Sequence, residues 1–271
     1  MSRSPQNRTS QGRTSQGRDE LGGEQVEGRR AVLELLSAGR RPVHQVMIAE
    51  GLDRSSELDE IAKLAPRRGA RLVVVSRRRL DAEARSFAHQ GVLARAAPLR
   101  SVDLEELLRF DRSGVPSVLV LDGITDPQNV GALLRSAECA GITGVVMGRH
   151  RSVHVTPTVA KAAAGAVEHL DICMVPGIPA SIIRMRDLGV RCIGLAADAE
   201  RSIYEVDLGS PAEPVALVLG DEGRGLGSLT RRRCDELVAI PLRGSIGSLN
   251  VAAAAAVGCF ELANRRSKTL R

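Results

Sequence analysis

Residues 237–266, LVAIPLRGSIGSLNVAAAAAVGCFELANRR, join a short apolar run, a loop of small polar residues and a long apolar stretch without a gap. Leu237 to Ile240 predicts a buried strand, and Pro241 ends it because proline has no N–H for a sheet ladder. Val251 to Ala263 predicts a slim, alanine-rich helix of high intrinsic propensity. The loop at 243–250 can bring backbone N–H groups close to a ligand, although it could also be an ordinary strand-to-helix turn.

The start of this helix needs an N-cap oxygen, and two residues of the loop can supply one. Ser248 and Asn250 both have the side-chain type that accepts a hydrogen bond from the first turn of a helix. The sequence leaves the choice between them open.

The composition favours a cytoplasmic protein with a core of its own. A chain of 271 residues can form one large or two modest domains. No apolar run is long enough to span a membrane, and the N-terminus has no hydrophobic signal core. The cysteines show no metal-ligand spacing, so we expect reduced thiols with no disulfide framework and no metal site. They are Cys139, Cys173, Cys192, Cys234 and Cys259.

The charge balance suggests a polyanionic partner. The formal net charge is +6, and 35 of the 38 basic residues are arginine, since Lys63, Lys161 and Lys268 are the only lysines. Arginine suits bidentate contacts with phosphate, but the bias can equally be a mutational habit of a genome. With no Trp, one Tyr and three Phe, the chain lacks a platform for stacking single-stranded bases. If it binds nucleic acid, shape and phosphate contacts must supply the affinity.

Composition shifts divide the chain into four parts. Residues 1–22 contain RTSQG twice and almost no apolar residues, which predicts a disordered basic tail. Alternating helical and strand-like patterns predict a small α/β domain over residues 23–108. Residues 109–116 are polar with Gly and Pro and form the candidate linker. The second domain then covers residues 117–271.

The second domain has the pattern of a doubly wound parallel sheet. Strand-like runs alternate with helical stretches, and ligands in such sheets bind beyond the carboxyl ends of the strands. The runs are 117–123, 144–148, 171–175, 191–197, 214–220 and 237–241. The loops that follow the first, fourth, fifth and sixth of these runs are therefore the candidate site.

The loop after the first strand leads into a helix. Asp126 and Pro127 form an N-cap and first-turn pair, and Gly141 is a natural end. Four apolar positions from Val130 to Ala137 make the core face. Gly131 lies one turn before Arg135, and we expect it to leave open space through which that arginine reaches the ligand end of the sheet. A solvated surface arginine is the alternative.

The loop after the fifth strand, VLGDEGRGLG at 218–227, is rich in glycine. It lacks the GK[ST] of a Walker loop and the spacing of a dinucleotide fingerprint, so phosphate cradling is disfavoured. Glu222 is the notable residue. It can hold an arginine, accept backbone N–H groups or simply be exposed.

Three segments together resemble a known family. NVGALLRSAECAG (129–141), LGDEGRGL (219–226) and IPLRGSIGSLNVAAAAA (240–256) are similar, in order and spacing, to the three motifs of the SpoU branch of the SPOUT methyltransferases. The resemblance implies methylation of a ribose 2′-hydroxyl of RNA with S-adenosylmethionine. It also implies a deep C-terminal trefoil knot, a homodimer whose active site is completed across the interface, and an N-terminal RNA-binding domain of the L30e kind.

The resemblance also assigns roles to individual residues. It places the catalytic roles on Asn129, Arg135, Glu222, Ser248 and Asn250. It places cofactor contacts on Gly220, Ile240 and Leu249, and less securely on Leu195, Ala196 and Leu242. Arginine is a very reluctant base. We therefore expect Arg135 to stabilise developing negative charge, with the other four catalytic residues orienting it and the loops.

The target most in keeping with the N-terminal domain is a guanosine of 23S ribosomal RNA. A resistance methyltransferase of an antibiotic producer and a transfer-RNA methyltransferase use the same architecture. A catalytically silent RNA-binding protein is the non-enzymatic alternative, and a nucleotide-binding oxidoreductase is disfavoured by the absent fingerprint. The modified nucleotide cannot be read from the sequence.

Overall fold

The computed structural model describes residues 20–86, 89–109, 114–149, 154–208 and 212–268. The N-terminal part contains a four-stranded sheet in the order β2-β5-β3-β4 and a two-stranded ribbon of β1 and β6. Its elements are β1 (Glu20–Gly22), β2 (Gln25–Glu27), α1 (Arg29–Ala38), β3 (Val43–Ala49), α2 (Ser56–Arg67), β4 (Arg71–Val75), α3 (Arg77–Glu83), β5 (Val92–Ala96), β6 (Leu99–Arg100) and α4 (Leu104–Leu107).

The C-terminal part is a six-stranded, fully parallel sheet in the order β12-β10-β11-β7-β8-β9. Its elements are β7 (Ser117–Asp122), α5 (Pro127–Cys139), β8 (Gly144–Gly148), α6 (Pro157–Ala162), a 3₁₀ helix (Ala166–Glu168), β9 (Asp171–Val175), α7 (Ile178–Asp187), β10 (Arg191–Leu195), β11 (Val215–Gly220), α8 (Ser228–Arg233), β12 (Glu236–Val238) and α9 (Val251–Lys268). The α/β class and the parallel sheet predicted from the strand pattern are confirmed.

Both faces of this sheet are covered, as its continuously apolar strands require. Helices α5, α6 and α9 pack on one face, and α4 and α7 on the other. The carboxyl ends of β7, β10, β11 and β12 therefore remain the accessible edge for a ligand.

The predicted tail of 1–22 overlaps an ordered strand. Residues 1–19 lie outside the described residues, but Glu20–Gly22 forms β1, and Leu21 is 4% exposed in the core that covers the parallel sheet. The main chain of Leu21 accepts a hydrogen bond from Val155 N at 2.8 Å. The tail prediction is thus wrong for its last three residues, because Leu21 has an apolar core to enter.

The chain between the two sheets is also packed. Val102 N donates to the carbonyl of Ile172 on the edge strand β9 at 3.0 Å, and Leu104 and Leu107 are buried against the parallel sheet. Of the predicted linker at 109–116, residues 110–113 lie outside the described residues. Residues 101–108 therefore lie on the C-terminal sheet rather than inside the N-terminal fold.

The last strand is shorter than predicted. It pairs with β10 only as far as Leu195↔Val238, followed by an isolated bridge between Ser202 and Ala239. Strand β12 is at the edge of the sheet and its one neighbour ends at Leu195, so Ile240 has no strand partner. The chain therefore leaves the sheet before Pro241 for two reasons: the neighbouring strand β10 ends at Leu195, and proline has no N–H to offer.

Candidate functional site

A cleft of about 440 Å³ lies at the carboxyl ends of β10, β11 and β12. Its walls come from the ends of these strands, from the loop after β11 and from the start of α9. It is lined by all six residues predicted to contact the cofactor: Leu195, Ala196, Gly220, Ile240, Leu242 and Leu249. Glu222 and Ser248 line it as well. The structure thus brings together residues from three loops that are far apart in sequence.

The floor of the cleft depends on Gly220. Residues 221–225 turn back on themselves, with Gly225 N donating to the carbonyl of Asp221 at 2.7 Å. A Cβ on Gly220 would lie 2.1 Å from the carbonyl carbon of Gly225 and 2.2 Å from Leu226 N. Main chain occupies the space that any side chain would need, so only glycine permits this turn.

Two aspartates that sequence reasoning did not single out hold the same loop. The Asp221 carboxylate accepts hydrogen bonds from Gly223 N at 3.0 Å and Arg224 N at 3.2 Å, while Asp122 accepts one from Gly227 N at 3.0 Å. Asp122 ends β7, next to β11 in the sheet. A carboxylate directly after each of two adjacent strands was the available signal for this support.

Asn129, Glu222 and Asn250 form a closed ring of hydrogen bonds, here called the polar cluster. Asn129 Nδ2 donates to Glu222 Oε2 at 3.2 Å. Asn250 Nδ2 donates to Glu222 Oε1 at 3.2 Å and to Asn129 Oδ1 at 3.0 Å. Asn129 comes from the first turn of α5, Glu222 from the loop after β11 and Asn250 from the start of α9, so the cluster fixes these three segments relative to one another.

Asn250 also resolves the N-cap alternative. Its Oδ1 accepts from Ala252 N at 2.9 Å and from Ala253 N at 3.4 Å, which caps α9. The oxygen of one amide therefore starts the helix while its nitrogen belongs to the polar cluster. Ser248 is exposed on the wall of the cleft and is not the cap.

Gly131 does not have the predicted role. It is buried, and a Cβ there would meet Ala162 Cβ at 2.3 Å and Val159 O at 2.9 Å. The expected open space is occupied by α6, so Gly131 allows α5 and α6 to approach closely. The error arose because the face of α5 that packs on α6 cannot be recognised from α5 alone.

Arg135 is exposed, one turn along α5 from Gly131. Among the described residues, its guanidinium has no hydrogen-bond or salt-bridge partner. The polar cluster binds its own members and does not orient Arg135 within this chain. Arg135 is therefore available to a ligand or to a second molecule.

An ion pair at the rim of the cleft was not anticipated. Arg231 Nη1 and Nη2 lie 2.8 and 3.0 Å from the two Asp198 carboxylate oxygens. Both residues line the cleft, and the hydrogen bonds from Arg231 lower the pKa of Asp198. The pair joins the loop after β10 to α8. Because the pair is exposed to water, it contributes little to the free energy of folding and serves mainly to hold the loop after β10 near α8.

The described residues contain no group of three or more His, Cys, Asp or Glu arranged to hold a metal ion. Burial raises the pKa of the thiols of Cys173, Cys192, Cys234 and Cys259 to about 12. These thiols are therefore poor nucleophiles at neutral pH. Among the described helices, none combines the length and apolar character needed to cross a membrane.

Two family models match the chain. The SpoU rRNA methylase family model matches residues 116–260, and a model described as RNA 2′-O ribose methyltransferase substrate binding matches residues 25–102. The chain belongs to the SpoU rRNA methylase family. The family predicted from the three loop segments is confirmed, and the chain is an RNA methyltransferase with a substrate-binding domain in front of its catalytic domain.

Relatives and solved structures extend this likeness over both domains. The 23S rRNA (guanosine-2′-O-)-methyltransferase RlmB of Ralstonia nicotianae is 39% identical over 241 residues, covering 89% of this chain and 95% of the relative. RlmB of Shewanella oneidensis is 36% identical over 242 residues, covering 88% and 96%. The AdoMet complex of the SpoU methyltransferase AviRb from Streptomyces viridochromogenes has a TM-score of 0.72 at 23% identity, with 90% of each chain covered. This last likeness shows the shared fold.

Proposed function

We propose that the protein transfers a methyl group from S-adenosylmethionine to the ribose 2′-hydroxyl of a guanosine in 23S ribosomal RNA. The cleft carries this proposal, because two of the three family segments line it together with all six predicted cofactor contacts. The third segment joins them through the hydrogen bonds of Asn129 to Glu222 and Asn250. Similarity to two RlmB enzymes over nearly their whole length supports the ribosomal substrate. A substrate on the ribosome implies a cytoplasmic location.

The residues of the cleft fit the cofactor. Its volume of about 440 Å³ lies within the ordinary range for small-molecule sites. The apolar Leu195, Ile240 and Leu249 suit the adenine ring, and the main chain around Gly220 offers hydrogen-bonding groups to the polar parts. The bound cofactor supplies an electrophilic methyl group on a sulfonium. Its leaving group becomes neutral, so the reaction needs no metal ion.

The difficult part of the reaction is the nucleophile, since a ribose hydroxyl is a poor acid. Arg135 is permanently charged and unpaired among the described residues. It stabilises the developing alkoxide and an adjacent RNA phosphate, while the proton leaves by another route. The polar cluster keeps the cofactor loops in place, and Ser248 contributes to the wall of the same cleft.

A homodimer completes the site in this proposal. Helix α9 exposes Ala253 and Phe260, and Phe260 is 51% exposed although it is one of three phenylalanines in the chain. Leu242, Leu249 and Ile246 are 38%, 38% and 78% exposed in the loop before α9. A second copy packed on this apolar surface would bury these side chains beside the cleft, which Leu242 and Leu249 line.

The trefoil knot is likewise proposed. A Cβ on Gly258 of α9 would lie 3.4 and 3.5 Å from Leu195 and Leu217 of the sheet, and 3.7 Å from Ile203 of the connection that follows β10. Arg265 at the end of α9 donates to the carbonyls of Val206 and Tyr204 at 2.6 and 2.7 Å. These contacts of the C-terminal helix with both the sheet and an earlier segment support threading through a loop. The L30e-like character of the N-terminal domain stays a prediction.

The RNA target is tested with labelled S-adenosylmethionine and separate pools of unmodified 23S ribosomal RNA and transfer RNA. We expect label in the ribosomal RNA, mapping to a guanosine ribose. Label in the transfer RNA alone would refute the proposed target. Cofactor binding without transfer to any RNA would support a silent RNA-binding protein instead.

The role of Arg135 is tested with Arg135→Ala and Arg135→Lys. We expect Arg135→Ala to abolish methylation and to leave the Kd for S-adenosylmethionine within a few-fold, because Arg135 does not line the cleft. Arg135→Lys keeps the charge but not the planar fork, so intermediate activity is expected. Loss of cofactor binding in a folded Arg135→Ala protein would contradict this role.

A further inference from the structure

A buried ion pair joins the substrate-binding domain to the catalytic domain. Arg41, between α1 and β3, places Nε 2.9 Å from Glu168 Oε2 and Nη2 2.6 Å from Glu168 Oε1. The two side chains, here called the docking pair, are only 6% and 1% exposed. Glu168 lies in the 3₁₀ helix of the catalytic domain. Each charge is therefore buried together with a group from the other domain.

The surroundings of Arg41 make this contact specific. Its Nη1 donates to the carbonyl of Gly23 at 2.8 Å and also to that of Ala97. A buried guanidinium gains from such complete pairing, and the loss of one partner would leave an uncompensated charge in the interface. The pair thus selects one relative placement of the domains.

The catalytic domain is shaped to receive α1 beside this pair. Gly165 has φ +87°, and a Cβ there would meet Glu34 Cβ at 2.5 Å and Ala31 Cα at 3.3 Å. The preceding Ala164 has φ 49°, an unusual conformation for a residue with a side chain. His169 Nε2 lies 2.9 Å from Glu34 Oε2. Close packing and strained main chain together indicate an interface rather than a chance contact.

This interface is connected directly to the helix that bears the site. The 3₁₀ helix follows α6, and α6 packs against Gly131 of α5. Helix α5 carries both Asn129 and Arg135. The placement of the substrate-binding domain is therefore fixed with respect to Arg135 through contiguous packed elements.

We propose that Arg41 and Glu168 are positioning residues for RNA. The docking pair holds the two domains in one fixed arrangement, so that both contribute to a single rigid RNA-binding surface. This surface selects a folded RNA in which the regions that contact the two domains have a fixed separation. The inference rests on the proposed function. It agrees with the composition, because a chain with no Trp and one Tyr recognises RNA by shape and phosphate rather than by stacking on single-stranded bases. An RNA bound to both domains then needs no ordering of the enzyme.

The test compares Glu168→Gln and Arg41→Ala with the wild-type full-length protein, using a 23S ribosomal RNA transcript. We expect the KM for RNA to rise about tenfold or more, because an uncompensated buried charge opens the interface. The Kd for S-adenosylmethionine stays unchanged, since neither residue lines the cleft. Small-angle X-ray scattering of the free variants should show a larger radius of gyration than that of the wild type.

Two control variants separate docking from folding. Arg40→Ala removes a neighbouring interdomain pair, Arg40 to Asp171, whose side chains are 46% and 41% exposed, so the KM for RNA should change less than twofold. The double variant Arg41→Met/Glu168→Leu replaces the buried charges with apolar groups of similar size. It should restore the scattering profile and recover most of the KM for RNA, short of the wild type because the carbonyls of Gly23 and Ala97 lose their donor.

An unchanged KM for RNA in Glu168→Gln would overturn the positioning role, as would an equal loss of affinity for S-adenosylmethionine. Failure of the double variant to recover while it remains folded would also overturn it. If the wild type itself methylates no RNA, the proposed function fails, and the scattering comparison still decides whether the pair docks the domains.

Discussion

Replacement of Asn250 by aspartate separates the two roles of this residue. Aspartate has the same shape and is an equally good N-cap, so the hydrogen bonds from Ala252 N and Ala253 N to the side chain are kept. The Nδ2 donor, however, becomes a carboxylate oxygen that faces Glu222 Oε1 and Asn129 Oδ1. Helix α9 should therefore stay capped while the polar cluster opens.

The size of the effect follows from the hydrogen bonds that the substitution removes. Two hydrogen bonds of the cluster disappear, and one of them is to a carboxylate. The site is exposed, so we take the low end of the usual free-energy contribution of such bonds, about 2 kcal/mol in total. Two carboxylates about 4 Å apart add a repulsion of about 1 kcal/mol under water-like screening. We expect kcat/KM for methylation to fall about 100-fold in Asn250→Asp. In Asn250→Ser, which keeps a cap without the charge, it should fall about 30-fold.

The assay is methyl transfer to 23S ribosomal RNA, with thermal unfolding as the measure of folding. The free energy of unfolding should fall in Asn250→Asp and Asn250→Ser by no more than the energy of the lost cluster contacts, whereas Asn250→Ala also loses the cap and about 1 kcal/mol more. Combining Asn250→Asp with Glu222→Gln removes the repulsion and permits two of the three hydrogen bonds of the ring, so part of the activity should return. Activity within twofold of the wild type in Asn250→Ser would refute the role of the cluster.

Two further predictions concern stability. Gly131→Ala should lower the melting temperature, because its Cβ would lie 2.3 Å from Ala162 Cβ and 2.9 Å from Val159 O of α6. Such overpacking costs about 1–3 kcal/mol. Gly258→Ala is the matched control, since the nearest atom to its Cβ is 3.4 Å away, and an equal effect of both substitutions would contradict the packing argument. At Glu27, burial acts to raise the pKa, but hydrogen bonds from the Ser86 side chain, the main chain of Arg85 and Ser86, and Gln25 outweigh it and hold the pKa below its usual range. Ionised Glu27 therefore stabilises the fold fully above the unfolded-state pKa of about 4.3, and this stabilisation is lost as pH falls through the folded-state pKa. Glu27→Gln should flatten the dependence of the free energy of unfolding on pH in the acid range. An unaltered dependence would show that other carboxylates cause it.

Local sequence patterns predicted most of the elements for physical reasons. The apolar runs at Ser117–Asp122 and Asp171–Val175 are strands because both faces of a parallel sheet are buried. Asp126 accepts a hydrogen bond from Asn129 N as an N-cap, and Gly141, at φ +73°, follows the end of α5. Such signals act within a few residues, so a single sequence carries them in full.

The features that were missed depend on contacts between distant segments. Leu21 looked like part of a polar tail, because the other buried residues of its core come from Leu119 onward, about a hundred positions later. The docking pair joins Arg41 to Glu168, and no local pattern marks either residue as buried. The six residues predicted to contact the cofactor lie in one cleft, and they were grouped only because the family resemblance connected loops that composition alone leaves unrelated.

The alanine-rich segment that opens α9 connects the fold to the site. Leu195 and Leu217 of the sheet and Ile203 of the connection pack against this helix at Gly258, where an added Cβ would lie 3.4 to 3.7 Å from them. Its first turn is capped by the same Asn250 amide that closes the polar cluster. The packing of α9 on the sheet therefore also brings Asn250 to Glu222 and Asn129. We infer that the three loops acquire their working arrangement only when the C-terminal helix has reached its final position, so cofactor binding and completion of the fold should occur together.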